Sequence, residues 1–169
     1  MQLTVRDLIE DDAANVLSLV SQVISIAKTT VTAPEEFSFT EEQERGYLRK
    51  FRNSQDQLAL GCFDGGNLAG VLFLEQMSKM RMRHRAVIGF SVLPARWGEG
   101  IGTALMRGLL DRLPAVKHIR QIEASVLSNN PASERLLIKA GFHRIGAVPN
   151  AILLDENCLD ELLFVLDCS

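Results

Sequence analysis

The chain predicts a mixed α/β domain, and three observations carry the prediction. Short apolar or alternating runs bounded by Gly, Pro, Asn and Asp read as strands, and they interleave with stretches whose apolar residues return every three to four positions. The longest uninterrupted apolar strand, Ala86 to Leu93, runs straight into a glycine-rich turn and then into a helical pattern. The resulting order is β-α-α-β-β-β-α-β-α-β-β, expected to form one domain over residues 1–169.

Composition narrows the function classes. The 169 residues are 47% hydrophobic and 23% charged, and the net charge of -3 argues against a dedicated nucleic-acid binder. No segment approaches the roughly 18 to 20 apolar residues that span a bilayer, and MQLTVRDLIEDD lacks a basic start followed by an apolar run. No membrane partner is expected. The three cysteines, Cys62, Cys158 and Cys168, are odd in number and lack C-x-x-C spacing, so neither a disulfide framework nor a metal site is expected; a reducing cytoplasm suits them.

In chain order, Leu3 to Asp7 alternates as a first strand, and Ala13, Val16, Leu17, Val20, Val23 and Ile24 mark one face of a helix introduced by Asp11 and Asp12. Residues 28–39 have no period and contain Pro34, so they read as a loop, in which Glu35 and Glu36 are acidic. Thr40 and Gln43 have capping-box spacing, and Tyr47, Leu48 and Phe51 give the helix after them its buried side. Gln57 to Phe63 and Leu68 to Glu75 form an antiparallel hairpin around Asp64, Gly65, Gly66 and Asn67. Residues 76–85 then carry the basic cluster Lys79, Arg81, Arg83, His84 and Arg85, either a solvated turn or a contact for an acidic group.

Pro94 ends the Ala86–Leu93 strand, because it has no N–H to donate. Gly98, Gly100 and Gly102 follow, and Ile101, Ala104, Leu105, Leu109 and Leu113 start a helix at once. The glycines therefore lie on a helix N-terminus, where unpaired N–H groups and the positive end of the dipole receive anions and the lack of side chains lets a phosphate approach. A turn that merely needs flexible residues is the alternative. Beyond it, Ile119 to Leu127 reads as a strand with Glu123 on its polar face. Asn130 and Pro131 form an N-cap and first-turn pair for a helix lined by Leu136, Leu137 and Ala140 and closed by Gly141. Residues 142–148 and 159–166 supply the last strands, and the apolar edge of LDELLFVL hints at self-association; monomer and homodimer both stay open.

Two of these motifs resemble the GNAT superfamily of N-acetyltransferases. Trp97, Gly98, Glu99, Gly100, Ile101 and Gly102 fill the slot of its acyl-CoA pyrophosphate loop, with Trp97 replacing the usual Gln or Arg and Arg96 adjacent. Asn129 to Phe142, NNPASERLLIKAGF, is similar to the Asn, helix, Lys-x-Gly-Phe segment near the cofactor thiol. The resemblance implies a GNAT-type fold with a mixed sheet of about six to seven strands and about four helices, and acetyl-CoA as cosubstrate. It implies cofactor contacts from Ser91, Val92, Leu93, Trp97, Gly98, Gly100, Ile101, Gly102, Thr103 and Asn130, the strand contributing free N–H groups of residues 91–93. Many members carry a helix tyrosine as the acid that protonates the leaving thiolate; here that position is Leu137. Asn130, Ser133, Arg135, Leu137 and Lys139 are similar to the branch containing ribosomal-protein α-amino acetyltransferases, which implies Ser133 as the acid.

The implied chemistry is direct attack of a primary amine on the thioester. An α-amine with pKa near 7.7–8.0 is about 10–20% neutral at pH 7, whereas a lysine amine near 10.4 is about 0.04% neutral, so an alkyl amine needs a base and an α-amine much less of one. Glu123 is the first choice by the same resemblance, with His84 and Glu75 as reserves. The acceptor class stays open among small molecules, amino acids and protein N-termini. The competing class is a non-catalytic acyl-CoA sensor or partner-binding module. A dinucleotide fingerprint fails because its third glycine would fall at Thr103.

Overall fold

The computed structural model describes residues 2–168. Its strands are β1 (Leu3–Asp7), β2 (Leu58–Asp64), β3 (Asn67–Gln76), β4 (Arg85–Val92), β5 (Gln121–Leu127), β6 (His143–Leu154) and β7 (Asn157–Asp167). Its α-helices are α1 (Ala13–Ile26), α2 (Glu41–Arg52), α3 (Ile101–Arg112) and α4 (Pro131–Lys139). The strands form one seven-stranded sheet in the order β1-β2-β3-β4-β5-β7-β6, as the fold class required. The β4–β5 pair is parallel and its neighbours are antiparallel.

Local chemistry places the elements as the sequence reads. Gln43 N–H donates to Thr40 Oγ1 at 3.2 Å while Thr40 N–H donates to Gln43 Oε1 at 2.8 Å, closing the capping box of α2. Ser133 N–H donates to Asn130 Oδ1 at 3.1 Å and so caps α4. At the entry to α1, burial pushes the Asp12 carboxyl up, but two bonds from Arg6 at 2.7 and 2.8 Å and one from Ile9 N–H outweigh that and hold it below the usual range.

Two apolar layers sandwich the sheet. On one face α3 and α4 pack against Leu60, Leu72, Leu74, Ile88, Ile122, Ala124 and Phe164. On the other, α1 and α2 pack against Ala59, Phe63, Val71 and Phe73. Strict alternation along β4 and β5 then sends Ala86 and Ile88 to the first face and Val87 and Gly89 to the second.

The C-terminal region departs from expectation twice. The last two strands are longer than 142–148 and 159–166 and meet at a two-residue turn, Asp155–Glu156, with φ of 45° and 68°. No glycine marks that hairpin, and Pro149 masks the strand; a register shift between Val148 and Ile152, with Asn150 at φ 52°, accommodates the proline. The LDELLFVL strand is also not an edge. β7 lies between β5 and β6, so its backbone is paired on both sides and the edges of the sheet are β1 and β6.

Candidate active site

β4 and β5 pair only over Arg85–Val87 with Gln121–Glu123 and then part. β4 continues beside β3 to Val92, so the half of its backbone facing β5 has no strand to bond. Which residues those are follows from parity. Leu93 N–H donates to Ala69 O at 3.0 Å, on the β3 side, so Phe90 and Val92 turn their backbone groups toward the gap. The Trp97 indole N–H reaches the Val92 carbonyl there at 2.9 Å.

A cleft of about 600 Å³ fills the gap. Its walls include β4 through Phe90, Ser91 and Val92, the glycine turn and start of α3 through Gly98 and Gly100 to Thr103, the start of α4 through Asn130 to Ser133, Val23 of α1, and Thr29 and Thr30 after that helix. It therefore joins the two faces of the sheet. The N-termini of α3 and α4 both open into it, so unpaired N–H groups and two positive dipole ends converge on one space.

Gly98 and Gly100 have φ of 84° and 82°, in the left-handed region that favours glycine, and Gly100 is the N-cap of α3. Gly102 does different work: a Cβ there would stand 2.8 Å from Leu136 Cδ2, so its bareness sets how closely α3 meets α4. Arg96 at the rim bonds Asp64 at 2.9 Å and Glu99 at 2.5 Å. Arg135 and Lys139, one turn apart on α4, add two exposed cations to the lining.

Ser91, Val92, Trp97, Gly98, Gly100, Ile101, Gly102, Thr103, Asn130 and Ser133 thus all line the cleft. Leu93 does not: it packs beside the α1–α2 core and its N–H is engaged by Ala69. Phe90, Thr29, Thr30, Arg135 and Lys139 are lining residues that sequence reasoning did not assign; strand parity would have found Phe90. Leu137, at the position where the resemblance led to an expected tyrosine, is fully buried in the α3–α4 core.

The proposed bases lie elsewhere. Glu123 is outside the cleft lining, at the last position where β5 pairs with β4, and is ion-paired with Arg85. His84 is exposed in the β3–β4 connection, its carbonyl taking the N–H groups of Arg120 and Gln121. Glu75 accepts a 2.6 Å hydrogen bond from the Tyr47 hydroxyl, a pairing invisible in sequence because 28 residues separate the two. Cys62 is fully buried, and burial pushes its thiol up, which disfavours a thiolate nucleophile. Among the described residues no group of three or more His, Cys, Asp or Glu side chains could hold a metal ion, and no helix is long and apolar enough to cross a membrane.

A mixed sheet that splays at a parallel pair, with two helix N-termini feeding the gap, defines an α/β protein built around an anion-receiving cleft. The chain belongs to the acetyltransferase (GNAT) domain family, whose model matches residues 2–143. It is similar to a probable N-acetyltransferase of Bacillus subtilis, YjcK, at 34% identity over 109 residues, which is 63% of this chain. The chain spans about half the length of that relative, 56%. Among solved structures it resembles a GNAT-family acetyltransferase from Streptococcus pneumoniae, with TM-score 0.94 and 23% identity, covering 99% of this chain and 100% of that one. It also resembles yncA of Salmonella typhimurium, a putative acetyltransferase solved with its cofactor acetyl-CoA, with TM-score 0.87 and 19% identity over 99% of this chain and 94% of that one. At these identities the likeness is one of fold.

Proposed function

We propose that this chain acts as a single acetyl-CoA-dependent N-acetyltransferase domain that moves the acetyl group directly to a primary amine. One observation carries the reading: the unpaired backbone of β4 and the N-termini of α3 and α4 face the same through-sheet cleft. The residues present fit the cofactor. Gly98, Gly100 and the first N–H groups of α3 suit a pyrophosphate, and Arg135 and Lys139 add positive charge around it. Phe90 and Val92 offer the pantetheine arm amide partners in a strand-like geometry, as a missing β-strand would.

When bound, acetyl-CoA supplies a thioester whose C–S bond breaks as the amine nitrogen forms the new C–N bond, releasing the thiolate. The chain's own work is positioning and proton handling. Ser133, half-buried on the first turn of α4 and lining the cleft, is assigned as the donor of a proton from Oγ to the departing sulfur. In this reading the chain works as does the branch that uses serine in place of the helix tyrosine. Glu123 is assigned to the acceptor side; its partner Arg85 must be exchanged before it takes a proton, so its charge acts first. The free cysteines suit a cytoplasmic location.

Isothermal titration with acetyl-CoA, followed by thiol release across an amine panel, tests the proposal. Binding with thiol release is expected, and no binding at millimolar acetyl-CoA would refute it. A non-catalytic acyl-CoA-binding module is the second reading, favoured by the buried Leu137 at the tyrosine position. Binding without thiol release on any amine would select it.

A further inference from the structure

On the sheet face that carries α1 and α2, the register aligns Glu75 of β3, Val87 of β4, Glu123 of β5, Val165 of β7 and His143 of β6 in one transverse row. Directly paired residues share a face, and adjacent strands lie about 4.8 Å apart, so the Cα atoms of Glu75 and Glu123 stand about 10 Å apart with Val87 between them. The row falls on the last paired position of β4 and β5, where the sheet begins to open. From Val87, the same face of β4 continues through Gly89 to Ser91, which lines the cleft. Val87 is 38% exposed, and a Cβ built on Gly89 would meet nothing within 4 Å. An open apolar floor thus leads from the two carboxylates to the cleft.

Each carboxylate is held. The Tyr47 hydroxyl bonds Glu75, and Tyr47 is itself fixed edge-on to Phe51 at 4.9 Å and tilted against Phe73 at 5.5 Å. Arg85, on the same face as Val87, pairs with Glu123. A third carboxyl stands behind them. Glu44, one turn before Tyr47 on α2, is only 5% exposed, its Oε1 has no hydrogen-bond partner among the described residues, and its charge acts on the Tyr47 hydroxyl. A buried carboxyl oxygen without a partner is costly for folding alone, and the charge of Glu44 deepens the negative potential around Tyr47 and Glu75 that draws a cation.

Resting on the acetyl-transfer reading above, we infer that this floor is the acceptor site and that it takes a cationic alkylamine that bears no carboxylate. The charge balance makes the selection. Glu123 and Arg85 offset one another, which leaves the exposed Glu75, with Glu44 near Tyr47, as net negative charge that a ligand cation complements. A free α-amino acid would bring its own carboxylate against them, and Arg85, the cation on this stretch of the face, is already engaged by Glu123. An alkyl chain, by contrast, lies on Val87 and the bare Gly89.

Cadaverine and lysine form the matched probe pair, because lysine is cadaverine with a carboxylate on one amine-bearing carbon. Each is titrated calorimetrically into protein saturated with CoA, and initial rates of thiol release are measured with acetyl-CoA. Cadaverine is expected to bind at least tenfold tighter than lysine and to react with the higher kcat/KM. Glu75→Gln should raise the cadaverine KM at least tenfold with acetyl-CoA affinity unchanged, and Tyr47→Phe should produce a smaller rise of the same kind. Lysine binding as well as cadaverine, neither binding at 10 mM, or Glu75→Gln leaving the preference intact would overturn the inference. Failure of acetyl-CoA itself to bind would instead overturn the reading beneath it.

Discussion

Ser133 shows how much one residue can carry. Its backbone is fixed by the Asn130 cap at 3.1 Å, while its side chain lines the cleft. Because the cap uses the backbone N–H rather than the hydroxyl, Ser133→Ala leaves α4 intact and removes only the proton donor. Turnover should fall about 10- to 100-fold, the range of a general acid, with acetyl-CoA affinity changed less than twofold. Steady-state rates beside calorimetry separate the two, and an unchanged rate would remove Ser133 from the mechanism. Glu44 makes a different prediction. Burial pushes its carboxyl from the usual 4.5 to about 6, so between those values the folded chain holds more protons than the unfolded one. Stability is therefore unaffected below about pH 4.5 and falls as pH rises through 6. Glu44→Gln escapes that penalty. Its advantage in urea unfolding should be near zero at pH 4 and grow to at most about 2 kcal/mol at pH 7, and a pH-independent difference would refute the assignment. The two residues differ in legibility. Ser133 stood in a local motif, whereas nothing in the sequence singled out Glu44, whose burial depends on tertiary packing around α2 rather than on a local pattern.

At the level of elements, the three glycines before and within α3 divide into two tasks that the sequence could not distinguish. Gly100 needs a left-handed backbone, and a side chain there would meet open space, so its replacement costs conformation rather than contact. Gly102 has helical geometry and meets the far end of Leu136. Gly100→Ala should destabilise the fold by about 1–2 kcal/mol and weaken acetyl-CoA binding at least tenfold by re-aiming the first N–H groups of α3. Gly102→Ala requires a small shift of Leu136 and should cost less than about 1.5 kcal/mol with a smaller effect on binding. Thermal unfolding and calorimetry on the two variants decide it, and equal losses of affinity would mean that both glycines serve the ligand alike. Capping chemistry was readable at Thr40 and Asn130 because it depends on spacings of three residues. The Asp155–Glu156 turn was not, because Asp-Glu lacks the glycine of the Asn-Gly or Asp-Gly pairs that announce a two-residue hairpin.

For the whole molecule, what the sequence withheld was mainly register. The strand order places β7 between β5 and β6, and the Glu75–Val87–Glu123 row exists only after two strand pairings, β3 with β4 and β4 with β5, are known. The cleft was more legible, because β4, the glycine turn and α3 are contiguous and α4 announces itself by its own motif. That contiguity gives the molecule a built-in reporter. Trp97, the one tryptophan of the chain, is 55% exposed at the cleft, and its indole N–H rests on the Val92 carbonyl that the pantetheine arm would meet. Cofactor entry must either displace that hydrogen bond or cover the ring, and both change the indole's environment. Titration with acetyl-CoA should therefore shift or quench the tryptophan emission with a saturable curve, matching the calorimetric Kd. Binding is linked to folding as well: at a ligand concentration of about 100 Kd the folded state gains about 2.7 kcal/mol. For a chain of this length that corresponds to a rise in Tm of about 5–11 °C. Trp97→Phe should abolish the optical signal and keep most of the Tm shift, because the backbone N–H groups of α3 and α4 remain. Loss of the Tm shift in that variant would make the indole itself a principal cofactor contact; a Tm shift without any optical change in the parent chain would place acetyl-CoA outside the cleft, and absence of both would mean that it does not bind.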